Sequence, residues 1–427
     1  MRHETRARPA LPVLVAAFTV GVSAACGTIN DRPAIAVRDR AGVTIIESRS
    51  AARPEDDDWR IEPEPVVDIG VTEGDEVYEL GLVRSAFRLS DGAIVVADGA
   101  SDELRVFDAQ GRHTRTIGRR GQGPGEFRYL AGAYPLPGDS ILAIDGYGSR
   151  WTRMDAHGNL ASIALRPMTA GGPDGIFNDG TLLRLVYAGR VDPMQTGHVQ
   201  DDIVFVLDRP AFVSATDPEV ASSAPSNVFD PNEPRLQGDT ILRVPGNQEY
   251  RTQVGNGIMN NAAAFGRQVR HVVGDDVLWV GGGETFEIRA HGMDGTLRRI
   301  VRLLEPNPPI EPEQIERWKL QQLEYARTDE QRRTRQRIIA AQEFPAVLPA
   351  YSALHIDRIG NLWVERYRVH RDDPQRWAVF DSEGAYLGTL DLPARFEVHE
   401  IYDDAVLGVW RDDADVQHVR LHRILKP

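Results

Sequence analysis

Four polar side chains recur at or near one position when repeated segments of the sequence are aligned on Leu-Trp-Val at 278–280 and 362–364. His271, His355 and Glu400 occupy equivalent places in this alignment, and Arg88 comes close to the same place in an earlier segment. Imidazole and carboxylate groups that converge on one point could hold Zn²⁺ or Ca²⁺, or could orient a polar ligand. The alternative is that these side chains bond to one another and to water.

Other motifs that could bind a ligand or catalyse a reaction lack the neighbouring residues that such sites require. Gly118–Gly125 is rich in glycine, but it has no Gly-Lys-Ser/Thr ending and leads into a strand pattern, which argues against a phosphate cradle. The sequence contains no Gly-x-Ser-x-Gly, and His399-Glu400 is not followed by the second histidine of a His-Glu-x-x-His site. The paired acids 372–373, 403–404 and 412–413 fall in predicted turns, where aspartate is favoured for its own hydrogen bonding.

Residues 82–118 contain the unit that must position these side chains. Four short segments alternate apolar and polar residues at a period of two, and Ser90-Asp91-Gly92 and Ala109-Gln110-Gly111 separate two pairs of them. This pattern predicts four antiparallel strands joined by tight turns. Four strands in about 40 residues is the size of one propeller blade.

The unit recurs along the chain. Trp279 and Trp363 hold the same place in their copies, as side chains packed between blades would. The sixth copy, 396–424, supplies three strands and leaves an unpaired edge. We predict that the β-branched segment Gly42–Glu47 fills that edge and closes the ring. The intervening copies cover 131–165, 176–244, 269–303 and 351–392.

The first copy resembles an NHL-type repeat. It reads Asp91-Gly92-Ala93-Ile94-Val95-Val96-Ala97-Asp98, then Leu104–Asp108, Gly111 and Gly121–Phe127. Residues 40–427 as a whole resemble exported bacterial six-bladed β-propeller lipoproteins (NHL/TolB-like) of unassigned function. The resemblance implies an all-β, six-bladed propeller whose N-terminal strand closes the last blade. It implies no activity, although enzymes on related propellers, such as lactonases and an NHL-type lyase, use an axial metal.

Two segments interrupt the repeats. Glu311–Gln342 has no glycine and is rich in Glu, Gln, Arg and Leu, which predicts a helical insertion at 311–342. Its second half carries the arginines at 327, 332, 333, 335 and 337, which we interpret either as a docking arm for an acidic partner or lipid, or as a solvated face. Ala211–Gly238 holds several prolines and predicts an irregular surface loop.

The first 25 residues predict an export signal. Arg2, Arg6 and Arg8 precede an apolar run that is too short to span a bilayer comfortably. The run ends in Ser23-Ala24-Ala25-Cys26-Gly27, which resembles a bacterial lipobox with Ser23 in place of the usual Leu or Val, and Cys26 is the chain's single cysteine. We therefore predict lipidation of Cys26, a tether over 26–40, a propeller over 41–427, and an outer-membrane lipoprotein that faces the periplasm.

The charge of the chain reduces the number of function classes that need to be considered. The 427 residues carry 49 Lys+Arg and 63 Asp+Glu, a formal charge of −14, so a nucleic-acid partner is not expected. Two hypotheses remain open. The first is a non-catalytic envelope scaffold, without a cofactor, that binds a protein, peptide or glycan. The second is a metal-dependent (Ca or Zn) hydrolase or lyase with its site at the mouth of the central channel.

Overall fold

The structure is a computed structural model, and it describes residues 34–49, 59–146, 150–165, 172–189, 192, 194–215, 238–254, 257–324 and 326–426. The predicted signal at 1–25, Cys26, the tether up to residue 33 and most of the loop predicted at 211–238 lie outside the described residues. Pairing of the described strands gives six propeller sheets, which we call blades I to VI, and one smaller sheet.

Blades I to III follow the predicted copies. Each consists of antiparallel strands joined in sequence order, as period-two alternation between Gly/Asp turns predicts. Blade I contains Val83–Arg88, Ile94–Asp98, Glu103–Phe107 and His113–Ile117. Blade II contains Leu130–Leu136, Ser140–Asp145, Arg150–Met154, Leu160–Leu165 and Val213–Ser214. Blade III contains Gly175–Ile176, Leu182–Ala188, Asp202–Asp208 and Asp239–Pro245.

Blades IV to VI complete the set. Blade IV contains Arg270–Gly274, Val277–Gly281, Glu287–Gly292 and Leu297–Leu303. Blade V contains Tyr351–Ile356, Leu362–Arg366, Gln375–Phe380 and Tyr386–Leu392. Blade VI contains Phe396–Ile401, Ala405–Arg411 and Gln417–Leu425, and the smaller sheet, which the sequence did not predict, contains Gly197–Val199, Glu249–Val254 and Gly257–Ala262.

The first strands of the six blades contact one another in cyclic order. Ser85 Oγ of blade I, for example, donates to the carbonyl of Ala133 in blade II at 2.8 Å. Blade VI returns to blade I, because the Ala86 amide donates to His399 Nδ1 at 2.9 Å. The sheets therefore surround a central axis as a six-bladed propeller does. Blades III and IV meet at Gly175 and Val273, and blades IV and V meet at Gly274 and Ile356. Tyr134 of blade II and Ile176 of blade III pack on one apolar cluster, and Ala353 of blade V and Val398 of blade VI pack on another.

Apolar side chains fill the spaces between neighbouring blades. Trp279 belongs to a buried cluster shared by blades IV and V, and Trp363 to one shared by blades V and VI. The predicted packing of both tryptophans between blades is confirmed.

The predicted closing strand lies elsewhere. Residues Val43–Ser48 pair in parallel with Leu297–Leu303, with Ile45 opposite Ile300, so the expected pairing with the last blade is wrong. Ile35–Arg40 forms an antiparallel hairpin with Val43–Ser48, although we predicted a tether up to residue 40. The outer edge of blade VI is instead occupied by Val67–Ile69 and Arg60–Ile61, both antiparallel to Gln417–Leu425.

The helical insertion is divided into two helices. Pro312–Glu324 and Asp329–Ala341 replace the single stretch that we predicted, and the Thr328 side chain caps the second by accepting the Gln331 amide at 3.2 Å. Ile315 and Trp318 pack on a cluster around Phe265 and Leu348, which fixes the insertion to the propeller. Within the described part of the chain, no helix has the length and apolarity that crossing a membrane needs.

Candidate functional site

A cavity of about 920 Å³ opens where the first strands of all six blades end. Because each blade contributes its first strand and the following turn, side chains that are distant in sequence meet at this mouth. We call this cavity the mouth. Its lining segments are Arg88–Gly92, Tyr134–Asp139, Gly175–Asn178, Val273–Asp275 and Ile356–Arg358, with Glu400 and Tyr402 from blade VI.

Tight turns place the polar groups of the mouth. In blade IV the turn consists of Asp275 and Asp276, which adopt positive φ values of 50° and 58°, the conformation of the two-residue turns that suit twisted hairpins. In blade I the Asp91 carboxylate accepts the Ala93 amide at 2.9 Å, which fixes the turn that follows Arg88. The turn aspartates thus both shape the mouth and bring charge to it.

One half of the mouth carries two guanidinium groups around a tyrosine. The Arg88 guanidinium carbon lies 4.1 Å from the centre of the Tyr402 ring, and that of Arg358 lies 5.7 Å from it. The Arg88 amide donates to the Tyr402 hydroxyl oxygen at 2.6 Å. Arg358 Nη2 lies 3.0 Å from Glu400 Oε2, and Arg88 Nη2 lies 3.4 Å from Asp404 Oδ1. Blades V, VI and I therefore present donors that could bind an anionic group.

Burial changes the acidity of the groups beside these arginines. It raises the pKa of Glu400, and the adjacent Arg358 guanidinium opposes this shift. Burial also raises the pKa of the Tyr402 hydroxyl, and the negative charge of Glu400 adds to the effect. Glu400 is thus a carboxyl group that holds its proton to a higher pH than an exposed glutamate does.

Carboxylates also line the mouth. Asp139 of blade II accepts the Ser90 amide at 2.9 Å and also accepts the Ser90 hydroxyl, and these hydrogen bonds lower the pKa of Asp139. Asp275 of blade IV is a further lining residue. The mouth therefore has arginines at blades I and V and carboxylates at blades II and IV, among others.

The structure separates the four predicted side chains. Arg88 and Glu400 line the mouth. His355 lines a second cavity of about 410 Å³ between blades V and VI, where burial lowers its pKa to about 4. His271 Nε2 lies 3.0 Å from the Asp174 carbonyl oxygen, and its ring packs edge to face on Phe205 with centroids 5.5 Å apart.

Strand register explains this separation. Trp279 is paired with Val272, whereas Trp363 is paired with His355, so the expected equivalence of His271 and His355 is wrong by one residue. The cause is the length of the turn between the first and second strands. This turn has two residues in blade IV and five in blade V. An alternating strand turns a one-residue offset into a different side-chain direction.

The described residues contain no group of three or more His, Cys, Asp or Glu side chains placed to hold one metal ion. His271, His355 and Glu400, all of which are described, therefore do not form the axial metal site that the sequence suggested. Sequence reasoning also missed Tyr402, Arg358, Asp139 and Asp275. A usable signal existed for these residues, since each follows a predicted first strand within or just before a turn.

Comparison with known proteins supports the fold in one region. Residues 79–136, which span blade I and the first strand of blade II, match the DUF5128 family, described as a 6-bladed beta-propeller. No curated protein matches the sequence.

Solved structures of similar shape share little sequence with this chain. A member of the DUF4221 family from Bacteroides vulgatus is 10% identical over 87% of this chain and 99% of its own, with a TM-score of 0.48. A Bacteroides fragilis protein that carries a provisional designation as exported is 12% identical over 90% and 99%, with a TM-score of 0.45. Virginiamycin B lyase from Staphylococcus aureus is 9% identical over 86% and 100%, with a TM-score of 0.37.

The raised pKa of Glu400 predicts how stability depends on pH. The folded protein holds the Glu400 proton to a higher pH than the unfolded chain does, so ionisation of this group disfavours folding as the pH rises. Glu400→Gln should therefore raise the melting temperature at pH 8 and leave it nearly unchanged at pH 4. Glu397→Gln is the matched control, because that side chain is 72% exposed. An equal effect of Glu400→Gln at both pH values would contradict the assignment.

Proposed function

We propose that this chain is an exported binding protein whose mouth receives a short peptide. The observation that carries the proposal is the mixed charge of the mouth, which Arg88 and Arg358 line together with Asp139 and Asp275. A peptide with free ends carries both a carboxylate and an ammonium group, and such a ligand would complement charges of both signs at once. A volume of about 920 Å³ is within the range of small-ligand sites.

The location of this activity follows from the start of the sequence. The signal-like segment, the lipobox-like residues before Cys26 and the acidic composition support a lipid-anchored scaffold at the cell envelope, facing the periplasm from the outer membrane. In this proposal the segment at 60–69 seals the propeller by pairing with the last strand, which gives the anchored chain a rigid mouth.

The metal-dependent hydrolase or lyase has less support. The described residues at the mouth do not provide a ligand set for one ion, so we derive no step through a metal. The mouth still offers Glu400 as a proton carrier, but no described group beside it is positioned as a nucleophile partner. Binding without catalysis is therefore the function that the geometry supports best.

Binding of trialanine tests the proposal. We expect trialanine with free ends to bind the full chain, as measured by saturation-transfer NMR, and Arg88→Ala to weaken binding by about 10-fold or more, since hydrogen bonds to charged groups contribute about 1.5–3 kcal/mol. Arg112→Ala in the same blade is the control, because its side chain is 75% exposed and pairs only locally with Asp108.

Two results would contradict the proposal. One is equal binding of N-acetylated, C-amidated trialanine, which lacks both end charges. The other is binding of a neutral oligosaccharide such as chitotriose with no effect of Arg88→Ala, which would favour a glycan ligand.

A further inference from the structure

The second cavity, of about 410 Å³, lies between blades V and VI at the opposite end of the first strands from the mouth. We call it the arginine cleft. Its walls come from the first, second and third strands of blade V, the first and second strands of blade VI, and the loops beside them. Four arginines line it, namely Arg368, Arg371, Arg395 and Arg411.

Three of these arginines have a carboxylate within 4 Å and one does not. Arg368 Nε lies 2.7 Å from Glu365 Oε1, and Arg395 Nε lies 2.5 Å from Asp372 Oδ1. Arg411 Nη1 makes a longer pair, 3.9 Å from Asp415 Oδ1. Arg371 makes no ion pair within 4 Å among the residues that the structure describes. The cleft thus has one unpaired and one loosely paired guanidinium group on a protein whose formal charge is −14.

Two carboxylates line the cleft beside the four arginines. Glu365 is buried and already accepts both Arg368 Nε and the Ser352 hydroxyl, at 2.7 and 2.8 Å. Glu397, the other acidic lining residue, has a side chain that is 72% exposed. The lining residues therefore include more guanidinium groups than carboxylates.

A buried histidine beside the cleft also lacks a partner. His399 Nδ1 accepts the Ala86 amide at 2.9 Å, so in the neutral ring the proton lies on Nε2. His399 Nε2 is buried without a hydrogen-bond partner and lies 4.0 Å from Oε1 of the lining residue Glu397, and the His399 side chain is 8% exposed. This N–H is therefore a donor without an acceptor among the described residues.

We propose that the arginine cleft binds a small organic anion through an oxyanion group, a carboxylate or a phosphate ester. Arg371 and Arg411 supply the charge, and Trp377 and Phe396 form the apolar wall for the body of the ligand. His399, which is not a lining residue but lies 4.0 Å from the lining residue Glu397, supplies a neutral donor at the edge of the cleft. A cavity of about 410 Å³ accommodates a molecule of the size of a monosaccharide acid. This site is independent of peptide binding at the mouth.

Calorimetric titration of the full chain with D-glucuronate, D-glucose and inorganic phosphate tests the proposal. Glucuronate should bind and glucose, its uncharged counterpart, should not. Arg371→Ala combined with Arg411→Ala should weaken glucuronate binding by about 10-fold or more. Arg376→Ala is the matched control, because this arginine lies in blade V outside the cleft and is paired with Asp391 at 2.8 Å. Phosphate binding that the double variant also weakens would support the same oxyanion site.

A second readout does not depend on substitution. The ¹⁵N resonance of His399 Nε2 should shift on addition of glucuronate and not on addition of glucose. Binding of glucose as tight as that of glucuronate, binding that survives the double variant, or an unshifted His399 resonance at saturating glucuronate would each overturn the proposal. Trialanine binding should persist in the double variant, so failure here is distinguishable from failure at the mouth.

Discussion

Truncation of the chain before residue 71 should abolish cooperative thermal unfolding, whereas truncation before residue 50 should leave a folded propeller with a lower melting temperature. The longer truncation removes Val67–Ile69, which pairs with the last strand of blade VI and covers its edge. The shorter one removes a hairpin at the outer edge of blade IV and leaves the edge strands of blade VI in place. Circular dichroism melts of the two truncated proteins make the comparison.

Point substitutions distinguish the effect of losing a buried side chain of this segment from the effect of losing its backbone pairing. Ile69 is fully buried in a cluster with Leu407 and Val419, so Ile69→Ala should lower the free energy of unfolding by about 2–5 kcal/mol. Val66 is 45% exposed, and its amide makes the neighbouring bond to Leu421, so Val66→Ala should cost less than about 0.5 kcal/mol. Equal melting temperatures for the two truncations, or for the two point variants, would show that this pairing does not hold the propeller together.

The local alternation of apolar and polar residues was sufficient to predict the strands of the blades. Alternation at period two and Gly/Asp turns identify each strand from its own residues, and Ile94–Asp98 and Leu362–Arg366 lie where that pattern indicated. Even the irregular blade III was found, since the segments at 203–208 and 240–244 retain the alternation on either side of the insertion.

The partner of a strand is not a local property. Gly42–Glu47 has the β-branched composition of a strand, but composition does not state which edge it joins. Its choice of blade IV is fixed by distant contacts: Ile46 is buried, and the Ser48 hydroxyl accepts the Tyr386 amide of blade V at 3.3 Å. The segment that does pair with blade VI, Val67–Ile69, has only three residues and follows two prolines, so no pattern of useful length marks it.

The sequence predicted only part of the candidate site, because strand register, like strand pairing, is not fixed by local pattern alone. Counting a fixed number of residues back from a tryptophan assumes equal turns and regular strands. Turn length differs between blades IV and V, and the first strand of blade VI shifts its register between Val398 and Glu400, which leaves His399 as an extra residue. Arg88 and Glu400 reached the mouth because they lie at or next to the ends of their strands, where the turns converge. His271 lies three residues before the end of its strand, and His355, although next to the end of its strand, has a side chain that lines the second cavity instead.

The second large effect is expected at Asp357, a buried carboxylate that organises the turn of blade V. It accepts four hydrogen bonds, from the amides of Ile359 and Asn361 at 3.1 and 2.8 Å, from Asn361 Nδ2 at 2.8 Å and from Trp363 Nε1 at 3.0 Å. Asp357→Ala leaves these donors unpaired, and Trp363 is 1% exposed, so water cannot replace the acceptor without disturbing the core between blades. We expect a loss of about 3–5 kcal/mol in the free energy of unfolding.

Asp381, in the turn between the third and fourth strands of the same blade, is the matched control. It accepts two backbone amides, from Glu383 and Ala385 at 3.0 and 2.8 Å, but it is half-buried and bonds no tryptophan. Asp381→Ala should therefore cost about 1 kcal/mol, as the loss of a capping carboxylate does elsewhere. Urea denaturation of both variants measures the difference. Because Asp357 directly precedes Arg358 at the mouth, Asp357→Ala should also weaken trialanine binding, whereas equal stability of the two variants would mean that the tryptophan bond contributes nothing.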